Sequence, residues 1–177
     1  MTDAPFRALP LDSSHDRAVF NSGSQSLDQY FREQVNQDIR RRVAACFVAL
    51  TDEQRIVGYY TLAAASLLLT DLPASITKKL PRYPTVPAVR MGRLAVDLTN
   101  KGHGLGGALL ADALDRAARS EIAAYALMVD AIDEIAVAFY KHHGFIALPD
   151  SPMALFLPFA TALPSRKTAN ETSQRRV

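Results

Sequence analysis

Cysteine is nearly absent. Cys46 is the one thiol among 177 residues, which excludes an internal disulfide framework and suits a reducing compartment. It lies in the apolar run VAACFVAL and reads as a buried, inert thiol. No apolar run reaches the roughly 18 residues that span a bilayer. The opening MTDAPFRALP lacks the basic segment and apolar stretch of a secretion signal, so a cytoplasmic location without membrane attachment is expected. Internal repeats are missing. So is any metal-ligand pattern: His15 and His103 have no cysteine or carboxylate cluster at ligand spacing, and adjacent His142 and His143 point to different sides of a helix. A strong charge of one sign is lacking too, since 20 basic residues face 18 acidic ones for a net +2.

What remains is the composition of an ordinary soluble domain, 49% hydrophobic and 21% charged. The length suffices for one full core and is short for two. A single domain over residues 1–163 is expected, followed by a polar, aperiodic tail at 164–177 that reads as disordered.

Periodicity orders the chain. SLDQYFREQVNQDIRRR reads as a helix capped at or beside Ser26, with Leu27, Tyr30, Phe31 and Val35 as its apolar face. RVAACFVAL and IVGYYTLAAASLLL, separated by TDEQR, read as a hairpin. The segment at 70–89 holds four prolines in 20 residues and is expected to be mostly irregular, with a short helix at Ala74–Leu80. VRMGRLAVD alternates as a strand ending at Asp97. Leu105, Leu109, Ala113 and Ala117 mark an amphipathic helix to about Ser120. AYALMVDA is a strand. DEIAVAFYKHH is a helix with a stripe at 135, 138, 139 and 142 (Ile, Ala, Phe and His), and Gly144 is placed to cap it. FIAL and MALFLPFA close the sheet. The fold class is α/β (α+β), a mixed central sheet of about six to seven strands layered by helices.

The stretch NKGHGLGGALL puts four glycines into six residues immediately before a helix. Such a loop exposes several backbone N–H groups and aims a positive helix end at whatever approaches, which favours a pyrophosphate. Gly102, Gly104 and Gly107 fit the dinucleotide pattern GxGxxG. The context opposes that reading: about 70 residues follow, too few for a six-stranded dinucleotide domain. The nearest acidic strand end is Asp130, 26 residues past Gly104. No GK[ST] follows, so a Walker loop is excluded. A tight turn without a ligand is the plain alternative, but four glycines exceed what it needs.

Shifted slightly, residues 101–106 resemble the Q/R-x-x-G-x-G/A signature of the GNAT family of N-acetyltransferases. Lys101 stands where glutamine or arginine is usual, keeping the charge but not the planar geometry. RMGRLAVDL is similar to that family's fourth strand, and AFYKHHGF at 138–145 to its A-x-F-Y-x-x-x-G-F segment. The resemblance implies the GNAT fold over about residues 5–160. It implies acetyl-CoA as donor, with its pyrophosphate on the backbone of Lys101, Gly102, His103, Gly104, Leu105, Gly106 and Gly107, and its thioester and pantetheine along Leu94, Ala95 and Val96. It also makes Tyr140 the general acid.

Acetyl transfer to an amine needs an unprotonated nucleophile, stabilisation of a tetrahedral oxyanion and a proton for the leaving thiolate. A phenol can give that proton. A general base is not evident: Arg93 and Ala95 occupy the fourth strand where many relatives have a glutamate nearby. Lysine, with a pKa near 10.4, needs a base, whereas an α-amine near 7.7–8.0 is already partly neutral. The gap favours an α-amine acceptor.

HDRAVFNSGSQSLDQYFREQ resembles the opening of the acetyltransferase toxins of bacterial type II toxin–antitoxin pairs, with Phe20, Gly23, Leu27 and Asp28 matching, and MALFLPFAT resembles their last strand. The likeness implies acetylation of the α-amino group of aminoacyl-tRNA, a block of translation, a ribbon-helix-helix antitoxin as partner and a homodimer. Arg32, Arg40, Arg41, Arg42, Lys78, Lys79, Arg82, Arg90 and Arg93 are candidate tRNA contacts. A solvated basic face is the bland alternative. Two other functions stay open: a GNAT enzyme for a small-molecule amine or protein N-terminus, and a non-catalytic module binding coenzyme A or a partner.

Overall fold

In chain order the elements are β1 (Arg7–Pro10), α1 (Gln25–Gln29), a turn of π-helix (Tyr30–Gln34), α2 (Val35–Arg40), β2 (Ala45–Leu50), β3 (Ile56–Leu68), α3 (Ala74–Thr77), β4 (Thr85–Val96), α4 (Leu105–Ala118), β5 (Ala126–Asp130), α5 (Glu134–His142), β6 (Ile146–Leu148), β7 (Ser151–Pro158) and α6 (Phe159–Ala162). They come from a computed structural model that describes residues 7–163, so the expected tail at 164–177 lies outside the described residues. The strands make one seven-stranded mixed sheet in the order β1-β2-β3-β4-β5-β7-β6. The seventh strand, β1, carries no sequence signal and is defined by its antiparallel register on β2, from Arg7↔Leu50 to Pro10↔Phe47. Among the described residues no helix is long and apolar enough to cross a membrane.

The chain gathers into two compact units. The first comprises the residues up to Ala63 with Arg90–Arg116, and the second comprises Ala64–Val89 with the residues from Ala117 on.

In the first unit β2 is buried from Cys46 to Leu50 except for half-buried Phe47, and its register on β3 shifts between Ala49 and Leu50. Cys46, Val48 and Leu50 pack in one cluster with Phe31 of the π-turn, Val35 of α2 and Tyr59 of β3. Phe31 stacks on Tyr59 at 4.2 Å between ring centroids and 4° between planes. Each such ring contributes roughly 1.5–3 kcal/mol by leaving water. The opposite face of the hairpin presents Phe47 and Tyr60 to α4: Arg116 lies 4.0 Å over Phe47, and the Tyr60 hydroxyl donates to Asp112. Gly58 permits this approach. A Cβ there would come within 2.7 Å of the Leu109 Cδ1 and 3.0 Å of the Ala95 carbonyl oxygen.

The helix expected from Ser26 to Arg42 forms, but with two corrections. Its cap is Ser24, whose hydroxyl accepts from the Leu27 amide at 3.5 Å. It is also interrupted at Tyr30–Gln34, where the Val35 amide reaches back five residues to the Tyr30 carbonyl. The widened turn is held from outside. Arg17 Nη1 donates to the Phe31 carbonyl at 2.6 Å, and the Tyr59 hydroxyl donates to the Leu27 carbonyl at 2.7 Å.

In the second unit β5 and β6 pair antiparallel with β7. Helix α5 starts where the Asp133 carboxylate accepts from the Ala136 amide at 2.8 Å. It ends at Gly144, whose φ of 92° is left-handed and whose amide donates to the Lys141 carbonyl. The stretch expected to be irregular is so only in part, because β4 begins at Thr85. Val86 and Ala88 alternate into the core with Ala126, Met128 and Phe156, while Pro87 between them faces solvent.

Candidate functional site

Strand β4 runs out at Val96 into a buried carboxylate. Asp97 is 3% exposed. It accepts from the Thr99 hydroxyl at 2.7 Å, the Thr99 amide at 3.0 Å, the Asn21 amide at 3.1 Å and the Arg55 guanidinium at 3.2 Å. Burial acts to raise its pKa, but the hydrogen bonds from Thr99 and Asn21 and the Arg55 charge outweigh it and hold the carboxyl below its usual range. Asp97 thereby fixes the single 3₁₀ turn Leu98–Asn100 that delivers the chain into the glycine loop.

In that loop Gly102 and Gly104 take left-handed φ values of 81° and 78°, and a Cβ at either would meet no atom within 4 Å. The space in front of the backbone is open. Lys101, His103 and both glycines are exposed. The chain then enters the 14-residue helix α4, whose first-turn N–H groups have no carbonyl one turn earlier. A left-handed glycine turn emptying into a helix N-terminus fits a pyrophosphate held by backbone alone. The Leu105 side chain is buried near Gly58, so only its backbone faces the loop.

One residue earlier on β4 the two faces divide. The Ala95 side chain is buried with Phe31 and Tyr59, so Ala95 offers only backbone. Leu94 and Val96 are half-buried. Arg93, two residues from Ala95, lies on the same side as the α1–α2 layer, its guanidinium carbon 3.4 Å from the Tyr30 ring centroid. It lines a cleft of ≈ 320 Å³ together with Tyr30, Glu33 and Asp38. The Tyr30 hydroxyl donates to Asp38 at 2.8 Å. Burial and that bond push its pKa well above the usual phenol range. Sequence reasoning placed Arg93 on tRNA phosphate and did not find this cleft.

The second unit holds Tyr140. Spacing predicts a stripe at 135, 138, 139 and 142 with Tyr140 just off it. The structure reverses this: Ile135 is 81% exposed, and Val137 and Tyr140 are the buried pair. Tyr140 packs at 5.3 Å between centroids against Phe139 and Phe145. Burial pushes its phenol up to about 12, so it is protonated throughout the physiological range.

The basic residues fall in both units. Arg32 donates to the Phe20 carbonyl at 3.0 Å. Arg40, Arg41 and Arg42 are exposed at the end of α2, and Arg90 is exposed on β4. Lys78, Lys79 and Arg82 are exposed after α3, in the second unit. Among the described residues no group of three or more His, Cys, Asp or Glu could hold a metal ion.

An acetyltransferase (GNAT) domain family matches residues 14–154. A tRNA-acetylating toxin of Mycobacterium tuberculosis is 36% identical over 149 residues, covering 83% of this chain and 88% of that protein. A probable toxin TacT of Sinorhizobium fredii is 31% identical over 163 residues, covering 86% and 90%. Among solved structures, AtaT complexed with acetyl-methionyl-tRNAfMet superposes with a TM-score of 0.79 at 31% identity, covering 86% of this chain and 94% of that one. AtaTR bound with AcCoA gives 0.76 at 28% identity, covering 89% and 96%. An AtaT mutant toxin bound to the C-terminus of the antitoxin AtaR gives 0.75 at 25% identity, covering 90% and 96%. With the family pattern running from residue 14 to residue 154, through the glycine loop and α5 alike, this chain belongs to the GNAT family of acetyltransferases.

Proposed function

We propose that this protein is the toxin of a toxin–antitoxin pair that transfers acetyl from acetyl-CoA to the α-amino group of aminoacyl-tRNA and so blocks translation. The observation that carries the reading is the likeness, over 86% of the chain, to AtaT caught with acetyl-methionyl-tRNAfMet. Bound acetyl-CoA supplies an activated acetyl thioester. The amides of residues 101–107 hold its pyrophosphate, and the Leu94 and Val96 amides meet the thioester carbonyl and pantetheine. Hydrogen bonds at that carbonyl stabilise the charge that develops on its oxygen. Tyr140 would be the donor of the proton that the departing sulfur takes, as the family resemblance implies. The acceptor needs no strong base, since an α-amine with a pKa near 7.7–8.0 is partly neutral at pH 7. A ribbon-helix-helix antitoxin and a homodimeric state complete the reading. An antitoxin C-terminus bound to AtaT supports an antitoxin partner.

The deciding experiment mixes purified protein with labelled acetyl-CoA and a pool of aminoacylated tRNAs. Label is expected on the amino acid of charged tRNA. Label on small amines or peptides but not on tRNA would leave the family assignment standing and remove the toxin assignment.

The exposed cations at 40–42, 78, 79, 82 and 90 are the candidate phosphate contacts in this reading. Three such contacts raise the KM for charged tRNA roughly 20- to 40-fold between 50 and 200 mM salt. The same change is expected to leave the KM for an uncharged small acceptor nearly constant. Equal salt responses for the two acceptors would eliminate a phosphate-binding role.

A further inference from the structure

We propose that the cleft on the π-turn seats the 3′-terminal nucleoside of the acceptor, placing the aminoacyl ester that it carries beside the Leu94 amide. The proposal deepens the aminoacyl-tRNA reading and rests on it.

The cleft lies wholly within the first unit, and its lining restricts its occupant. No aliphatic side chain faces it: besides the Tyr30 ring it has carboxylates (Glu33, Asp38), amides (Gln29, Gln34), the Ser26 hydroxyl and the Arg93 guanidinium. An aliphatic aminoacyl side chain therefore gains little there. Two carboxylates against one guanidinium leave the lining net negative, which disfavours a phosphate. The suited occupant is neutral, polar and flat, with hydroxyls to donate.

A nucleoside has that chemistry. At 3.4 Å the Arg93 guanidinium sits at stacking distance on Tyr30, and the bond to Asp38 fixes the ring beneath it. Guanidinium planes and aromatic rings are the platforms on which unpaired bases stack, while amides read base edges. Carboxylates accept from ribose 2′-hydroxyls in dinucleotide sites by the same logic. Gln29 already donates to Glu33 at 3.2 Å, which steadies that carboxylate at the rim. The widened turn is what brings these groups together. An extra residue between Tyr30 and Val35 changes the helical phase, so that Tyr30 and Asp38 face one another across eight positions. Arg93 immediately precedes Leu94 on β4, so the strand that carries the stacking guanidinium also carries the amide assigned to the thioester carbonyl, and the seated nucleoside would direct its 3′-ester toward that amide.

The test compares three acceptors with one amino acid: its methyl ester, its 3′-ester on adenosine, and its charged tRNA. The wild-type protein is expected to favour the adenosine ester over the methyl ester at least about tenfold in kcat/KM, as for one stacked base. Arg93→Lys keeps the charge and removes the plane, and Glu33→Gln removes the carboxylate. Each is expected to pull the ratio toward one, and a ratio is insensitive to the fraction of protein folded. A wild-type ratio near one, or a ratio kept in both variants, overturns the proposal. If charged tRNA stays unlabelled while the adenosine ester is preferred, the toxin reading falls and the cleft assignment stands. Labelled tRNA with equal esters means the reverse. If neither ester turns over, adenosine is titrated into ¹⁵N-labelled protein saturated with coenzyme A. Shifts at residues 26–38 and 93 are expected, and their absence overturns the assignment.

Discussion

Tyr140→Phe is expected to lower kcat by about 10²–10⁴-fold, the range for loss of a positioned general acid, with the KM for acetyl-CoA within about threefold of wild type. The variant removes one oxygen and keeps the ring, so its packing on Phe139 and Phe145 survives and the thermal midpoint should move little. The pH profile supplies an independent check. A phenol pushed up to about 12 is fully protonated below pH 10, so the proton donor imposes no downturn in that range. The acceptor amine must lose its proton, so kcat/KM should rise through about pH 7.7–8.0 and then level off. Thiol release from acetyl-CoA, followed from pH 6 to 10 for both proteins, measures each quantity. A variant retaining more than a tenth of wild-type kcat would remove Tyr140 from the chemistry.

Much of the fold was legible because its signals are local. The apolar run VAACFVAL, stopped by TDEQR, marks β2 without any neighbour, four-residue spacing of Leu105, Leu109, Ala113 and Ala117 marks α4, and Gly144 marks a helix end by the left-handed φ that it alone tolerates there. The glycine loop was legible for the same reason. What stayed hidden depends on partners distant in sequence. The π-turn has no local signature, since it is held by Arg17 and Tyr59, and without it the Tyr30–Asp38–Arg93 cleft does not exist. Strand β1 is four residues long and is defined by its pairing with β2. Helix α5 misled by its brevity. Over nine residues the apolar count at 135, 138 and 139 outweighed the true buried pair, Val137 and Tyr140, and an exposed Ile135 cannot be told from a core residue by spacing.

Asp97 is the strongest case of a distant partnership, and its removal is expected to be costly on two counts. It joins three segments: the loop at Asn21, 76 positions away, Arg55 ahead of β3, and the turn that carries Thr99 toward the glycine loop. Asp97→Ala leaves the Asn21 and Thr99 amides without their carboxylate. At about 1–3 kcal/mol for each donor so abandoned, a loss of about 3 kcal/mol follows, which for a chain of this size is roughly 10 °C in thermal midpoint. The second count concerns function. Because the loop amides act through their geometry, slackening the turn that feeds them is expected to raise the KM for acetyl-CoA at least about tenfold. A misplacement of about 1 Å can cost that much or more. At saturating acetyl-CoA, kcat should stay within about threefold of wild type. Destabilisation alone would instead lower the active fraction and leave KM unchanged, so the split separates anchoring of the loop from simple loss of fold. Acid supplies the complementary measurement. The folded carboxyl titrates below its unfolded value near 3.9. Its stabilisation is therefore complete at neutral pH and drains away only as pH falls below about 4, toward the folded pKa. Asp97→Asn, which matches the volume but cannot accept from the same set of donors, should accordingly be less stable than wild type at pH 7, with the gap narrowing in urea titrations as pH falls below about 4. A stability difference that persists undiminished in acid would mean that the carboxylate charge is not what ties the loop down.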